Sequence, residues 1–253
     1  MKYLIFPLLV LPALLMSLFP AADEPAAPVV SSEAELTIVE KGPVVLELFT
    51  SQGCSSCPAA DDLLRELDAS NDQVIALSFH VDYWNYLGWA DPFSSPYYSA
   101  RQTDYTDVLQ ERTYTPQLVV NGRQTMIGSR KAEVAEAIKT ALSEPLTHNP
   151  TFTAARQGGK VTIDYEIAEV PTGSRITALL VQPEATSSIK RGENKGRELH
   201  HVNVVRAMQH ADALSSGKLM MEVPDGLLAD DLQVVLLVQK TYNQAIVGVA
   251  RAD

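Results

Sequence analysis

The chain has 253 residues, 46% hydrophobic and 20% charged, which fits one or two globular domains and excludes a wholly disordered or collagen-like chain. Its 20 Lys and Arg against 31 Asp and Glu leave a net charge of −11. A surface that acidic repels phosphate backbones, so no nucleic-acid partner is expected. Two cysteines exclude both a multi-disulfide scaffold and a zinc site of four thiolates.

Lys2 precedes an uncharged apolar run from Tyr3 to Phe19, and Pro20-Ala21-Ala22 follows. A basic start, an apolar middle and a small-residue exit predict a secretory signal peptide over residues 1–22. If it were retained, the run would be the chain's one membrane contact, although Pro7 and Pro12 interrupt it and its length is short for a span. Either way the expected location is periplasmic or secreted. Residues 23–40 read as a tether.

Residues 41–146 carry an α/β order. Val44–Phe49 is a buried-strand run, and Leu63, Leu64 and Leu67 recur at helical spacing behind it. Val74–Val81 is a second strand, expected parallel to the first. The run Gln117–Val120, then Asn121-Gly122, then Gln124–Ile127 reads as a hairpin on a two-residue turn. A last helix follows Ser129, with Val134, Ala137, Ile138, Ala141 and Leu142 on one face. Residues 147–253 change character. Seven short strands are expected at 151–156, 161–167, 175–181, 201–206, 218–223, 232–239 and 245–250, which together suggest a sandwich-like β-rich domain. The stretch Val205–Leu214 has a helix-like pattern that competes with this reading.

Both cysteines lie in Cys54-Ser55-Ser56-Cys57, between a buried strand and the start of a helix. Helix geometry puts them on one face, near enough to pair. The helix N-terminus stabilises a thiolate, so Cys54 is expected to be the exposed attacking sulfur and Cys57 the resolving one. Pro58 is tolerated in the first turn. A purely structural disulfide here would close too short a loop to stabilise much. Three readings of the motif stand: a redox dithiol, an inert pair, and a metal site in which soft thiolates, with His80 added, would hold Cu(I).

Val44–Pro58 followed by Thr115-Pro116-Gln117-Leu118-Val119-Val120-Asn121-Gly122 resembles a thioredoxin-like domain. The resemblance implies that Thr115–Pro116 is cis and faces the cysteines, and it offers Glu47 as a buried acid serving Cys57. The chain also resembles a family of secreted bacterial proteins known as domain of unknown function 1223. The match is carried by residues 49–58, Phe79-His80-Val81-Asp82-Tyr83-Trp84, Gly88-Trp89-Ala90-Asp91, Arg101-Gln102, Arg191-Gly192-Glu193-Asn194 and Asn203-Val204-Val205-Arg206.

Of 17 aromatics, eight fall between Tyr83 and Tyr105, both tryptophans among them. This insert, residues 82–105, leaves the sheet at the edge where Cys54 emerges, an edge that ligands favour. It reads either as an aromatic wall over the dithiol or as a satellite core. His80 ends the second strand and would lower the pKa of a nearby thiol, with Asp82 or Asp91 to orient it. Asp61 and Asp62 read as solvated acids of the first helical turns. The basic stretch Lys190–Arg197 reads as a solvated hairpin tip or a docking loop. His200 and His201, adjacent on a strand, point to opposite faces.

The combined expectation is an exported protein with a thioredoxin-like α/β domain followed by a mainly-β domain. Its function is expected to be that of a thiol–disulfide oxidoreductase. Cys54, Cys57 and Pro116 form the catalytic set, and Thr115, Trp84, Trp89 and His80 contact substrate. Its partners are protein or small-molecule thiols and disulfides, and it needs no cofactor or metal. A copper-binding protein and a non-catalytic binding module are the alternatives.

Overall fold

The computed structural model describes residues 43–252. The expected leader and tether lie outside the described residues. In chain order the elements are β1 (Val44–Thr50), α1 (Pro58–Ser70), β2 (Val74–His80), α2 (Pro96–Leu109), β3 (Gln117–Val120), β4 (Gln124–Ile127) and α3 (Lys131–Leu142). They continue as β5 (Thr151–Gln157), β6 (Lys160–Glu166), β7 (Ser174–Ser188), β8 (Glu198–Asp212), β9 (Ser216–Glu222), β10 (Gln233–Lys240) and β11 (Ile246–Ala252). No helix among the described residues is long and apolar enough to cross a membrane.

The expected pair of separate domains, one thioredoxin-like and one β-rich, is not what forms. One eight-stranded mixed sheet, in the order β11-β10-β7-β8-β2-β1-β3-β4, runs through both regions. β1 and β2 pair in parallel, as their apolar runs require, and β8 adds in parallel to the outer edge of β2 at Ser78↔Val204. Only β5, β6 and β9 stand apart, as a three-stranded antiparallel sheet. The physical reason is edge satisfaction. A central strand such as β2, buried at all seven positions, needs a partner on both sides, and the second region supplies it.

Period-2 alternation sorts β1 between two cores. Val44, Leu46 and Leu48 face α1 and α3, where Leu63, Leu64, Val134 and Ile138 pack on them. Val45 and Phe49 face the other way, into a core shared with Tyr98 and Tyr105 of α2 and with Leu179, Val205, Val235 and Ile246. That core crosses the position expected to separate two domains. The small sheet closes a third core, in which Val161, Ile163 and Tyr165 of β6 meet Ile176, Leu180 and Leu236.

β7 and β8 form a hairpin of two 15-residue strands, longer than expected, and the helix-like stretch after Val205 is strand as far as Asp212. Leu180 pairs with Ala207 but Val181 with Val205, so Arg206 is the extra residue of a bulge. The Asn121-Gly122 turn has φ values of 48° and 63°, as a tight hairpin turn demands. Glycine is needed there for a second reason: a Cβ on Gly122 would stand 2.2 Å from the carbonyl oxygen of Gln244.

A buried polar knot ties the two halves. Arg101 Nε donates to Glu47 Oε1 at 2.8 Å, Arg101 Nη2 to the Tyr105 hydroxyl at 2.9 Å, and Arg101 Nη1 to Gln239 Oε1 at 3.2 Å. The Tyr105 hydroxyl donates to Glu47, and Gln239 Nε2 donates back to the Tyr105 oxygen. Burial opposes the Arg101 charge, but Glu47 outweighs it and holds the guanidinium pKa above its ordinary value. Glu47→Gln would leave that cation buried without its counter-ion. We expect a loss of about 3–5 kcal/mol in denaturant unfolding; a loss under about 1 kcal/mol would show that the knot is not a structural tie.

His210 on β8 shares a 2.9 Å hydrogen bond with Thr177 Oγ1. Partial desolvation on the sheet surface, with Arg175 and Arg101 nearby, pushes its pKa down from 6.5 to about 4. The fold holds this imidazole neutral while the unfolded chain binds a proton, so its contribution is complete above pH 6.5 and fades as pH falls toward about 4. His210→Gln should flatten the stability profile across that window, and an unchanged slope would contradict the assignment.

Candidate functional site

Ser51-Gln52-Gly53 carries the chain from the end of β1 to the cysteines, and all three residues are buried. Cys54 N–H donates to Ser51 O at 3.1 Å, and Cys57 N–H to Cys54 O at 3.3 Å. Cys57 occupies the N-cap of α1, Pro58 fills the first turn, and Ala60 and Asp61 N–H both reach Cys57 O. Within this turn Cys54 and Cys57 are joined as a disulfide, their Cα atoms 5.5 Å apart.

Cys54 was expected to be exposed, yet the two cysteines are 1% and 0% exposed. The cover comes from the β7–β8 tip. Asn194 Nδ2 donates to both Gln52 O and Cys54 O at 2.9 Å, and Ser55 N–H donates to Glu193 Oε2 at 3.0 Å. Arg197 Nη1 holds Asn194 Oδ1 at 2.9 Å. The stretch Lys190–Arg197 is therefore a clasp on the cysteine loop, not simply a solvated tip. Only Ser55 and Ser56 remain exposed above the disulfide.

The aromatic insert divides. Trp84 packs on the cysteine loop: a Cβ on Gly53 would stand 3.0 Å from Trp84 Cβ. Its indole N–H donates to Thr115 Oγ1 at 2.8 Å, which brings Thr115 and the cis Thr115–Pro116 bond to the same corner. Trp89 Nε1 donates to Gln52 Oε1 at 3.0 Å. Tyr98 and Tyr105 instead enter the sheet core from α2, while Tyr86 and Tyr97 are exposed. The insert thus divides its aromatics between the cysteine loop and the sheet core.

His80 does not bond to sulfur. Its Nδ1 pairs with Asp91 Oδ2 at 2.7 Å, and its ring meets that of His201 edge to face at 4.6 Å. Phe93 closes over both imidazoles. His201 Nδ1 faces Asp61 Oδ2 at 3.7 Å, an ion-pair distance too long for a hydrogen bond. Asp61 is buried, not solvated as expected, because α1 turns it toward β8. Glu47 points to the opposite face of the sheet and is spent on Arg101, which removes it as a partner for Cys57.

Burial raises the Asp91 carboxyl, but His80, its hydrogen bond, and the N–H groups of Gln52 and Phe93 hold it below its ordinary value. Burial likewise opposes charge on His201, and Asp61, with Asp91 behind it, reverses that and raises its pKa. Among the described residues no group of three or more His, Cys, Asp and Glu is placed to hold a metal ion. Gln52, Asn194 and His201 were not singled out as site residues. A strand bearing His-His always turns one imidazole inward, and that alternation was the available signal for His201.

An Agrobacterium tumefaciens protein, AGR_C_4864, has a similar solved structure, with 29% identity and a TM-score of 0.65 over 84% of this chain and 94% of that one. HBP35 of Porphyromonas gingivalis is similar in fold at 16% identity, with a TM-score of 0.56 over 84% of this chain and 75% of that one. No curated protein matches. The family model described as "Protein of unknown function (DUF1223)" matches residues 45–239, and the chain belongs to that family.

Proposed function

We propose that this protein is an exported thiol–disulfide oxidoreductase whose redox centre is Cys54–Cys57. One observation carries the reading: the chain's two cysteines are paired across a single turn at the start of α1. A loop that short gives little stabilisation by chain entropy, so the pairing serves chemistry better than structure. The positive end of α1 favours a thiolate at Cys54 when the bond is broken. The leader pattern fits a compartment where disulfides persist, periplasmic or extracellular.

In the reducing direction, the Cys54 thiolate attacks one sulfur of a substrate disulfide and releases the other as a thiolate. Cys57, as a thiolate, then attacks Cys54 and expels the substrate's second sulfur, restoring Cys54–Cys57. Run backwards, the same two steps oxidise a substrate dithiol. Trp84, Thr115 and Pro116 form the wall that substrate meets, with Trp89 behind Gln52. Access requires the Asn194 clasp to lift. His80 acts at a remove, through the buried polar cluster.

Asn194→Ala removes the two hydrogen bonds that hold the cover to the cysteine loop, each contributing about 1 kcal/mol, together with the Arg197 contact that orients the amide. The disulfide of this variant should react with dithiothreitol roughly 10- to 30-fold faster, and once reduced its Cys54 should alkylate before Cys57. In an insulin-reduction assay, Cys54→Ser should abolish turnover. Absence of turnover in the native protein would remove the functional reading.

Trp84 and Trp89 are the protein's only tryptophans, and both touch the cysteine loop. Reduction should change tryptophan emission in the native chain and leave Cys54→Ser unchanged. If emission stays constant while thiol titration confirms reduction, the indoles are packing groups uncoupled from the sulfur chemistry.

A further inference from the structure

Asp91, His80, His201 and Asp61 line up on the inner side of the cysteine loop, and Asp91 takes most of their hydrogen bonds, from His80 and from the N–H groups of Gln52 and Phe93. His80 Nε2, His201 Nδ1 and both Asp61 carboxylate oxygens are buried without a hydrogen-bond partner. So is Thr50 Oγ1, which lies opposite His80 in the β1–β2 register. Folded proteins rarely leave buried polar atoms unpaired, and several exceptions in one place call for an explanation, such as a catalytic role or a bound water.

The cluster adjoins the cysteine loop at two points. Asp61 N–H donates to Cys57 O at 3.1 Å, so its side chain stands one helical turn from Cys57 on the same face of α1. His201 comes within 3.5 Å of Gln52 Nε2, two residues before Cys54. Glu47, the other buried acid of this region, is occupied across the sheet by Arg101.

We propose that Asp61 and His201 are the proton-holding pair for the buried sulfur of Cys57, positioning a proton that this thiol gains on reduction and gives up on reoxidation. The inference rests on the dithiol reading for its purpose. When a substrate thiolate attacks Cys54 Sγ, the Cys54–Cys57 bond breaks and its electron pair leaves on Cys57. The proton carried by the His201 imidazolium, which Asp61 keeps charged, neutralises that thiolate. The substrate's second thiol returns a proton to His201, attacks its own sulfur in the mixed disulfide, and Cys54 departs as a thiolate. Two electrons have passed from the substrate dithiol to the protein, and the substrate leaves as a disulfide.

The other titratable groups facing the pair are His80 on β2, Asp91 on the loop after it, and Arg206 on β8, whose guanidinium lies over Phe93. Arg65, Glu184 and His200 line an open cleft of about 340 Å³ on the outer side of His201.

The test is an ultraviolet titration of the single thiol in Cys54→Ser protein. Asp61→Asn removes a negative charge and should lower the Cys57 midpoint by about one pH unit; His201→Gln removes a positive charge and should raise it by a similar amount. His200→Gln, on the exposed face of the same strand, should not move it. Opposite signs place both charges beside the sulfur and the pH profile below tests the proton transfer, so midpoints that stay put or move together overturn the proposal. If Asp61→Asn fails to fold, His201→Gln decides alone. In the native chain, His201→Gln should also flatten the pH profile of reduction by dithiothreitol and slow it on the order of 100-fold on the acidic side. Absent insulin turnover with the midpoints shifted would defeat the oxidoreductase reading alone. Intact turnover in both variants with unmoved midpoints would defeat this proposal alone.

Discussion

The parallel pairing of β8 with β2 is the constraint on which the rest of the molecule depends. Without it β2 would be an open edge of buried apolar residues, and the C-terminal strands would have no sheet to extend. With it, the β7–β8 hairpin has only one place to go. Its tip lands on the cysteine loop, His201 comes beside His80, and β10 arrives where Gln239 completes the Glu47–Arg101 knot. One strand addition sets the cover, the buried cluster and the tie between the halves.

The two buried polar assemblies show opposite uses of a low-dielectric interior. Around Arg101 the carboxylate, hydroxyl and amide groups bond to one another across three elements, and such a network rigidifies. Around His201 the charges face one another at ion-pair or ring-contact distance with atoms left over. The first arrangement is the expected way to bury charge cheaply. The second is costly, and it lies beside the Cys54–Cys57 disulfide.

Local structure was readable from local pattern. Val44–Phe49, Val74–Val81, the Asn121-Gly122 turn and the apolar face ending in Leu142 each declare their element within a few residues. The Cys54–Cys57 pairing was legible because spacing and a following helix suffice to bring the sulfurs together. What escaped was every choice made at long range. The exposed edge of β2 reads the same whether its partner is 20 residues away or, as here, Val204. Nothing near Asn194 states that its amide will cap a loop at Gln52, and Asp61 looks like any first-turn acid until β8 covers it. Val205–Leu214 has helical spacing, but pairing with the 15-residue strand β7 overrides so weak a preference.

The groups that shelter the disulfide are encoded some 140 positions after it, with Asn194 bonding to Cys54 across a separation of 140 residues. A chain made from its N-terminus therefore presents both sulfurs naked long before their shelter exists. Contacts that distant form late in folding. The cysteines must pass through an open period in which any passing oxidant or thiol reaches them, and closure of the β7–β8 hairpin ends it. From that moment each exchange at the disulfide has to wait until the Asn194 contact opens.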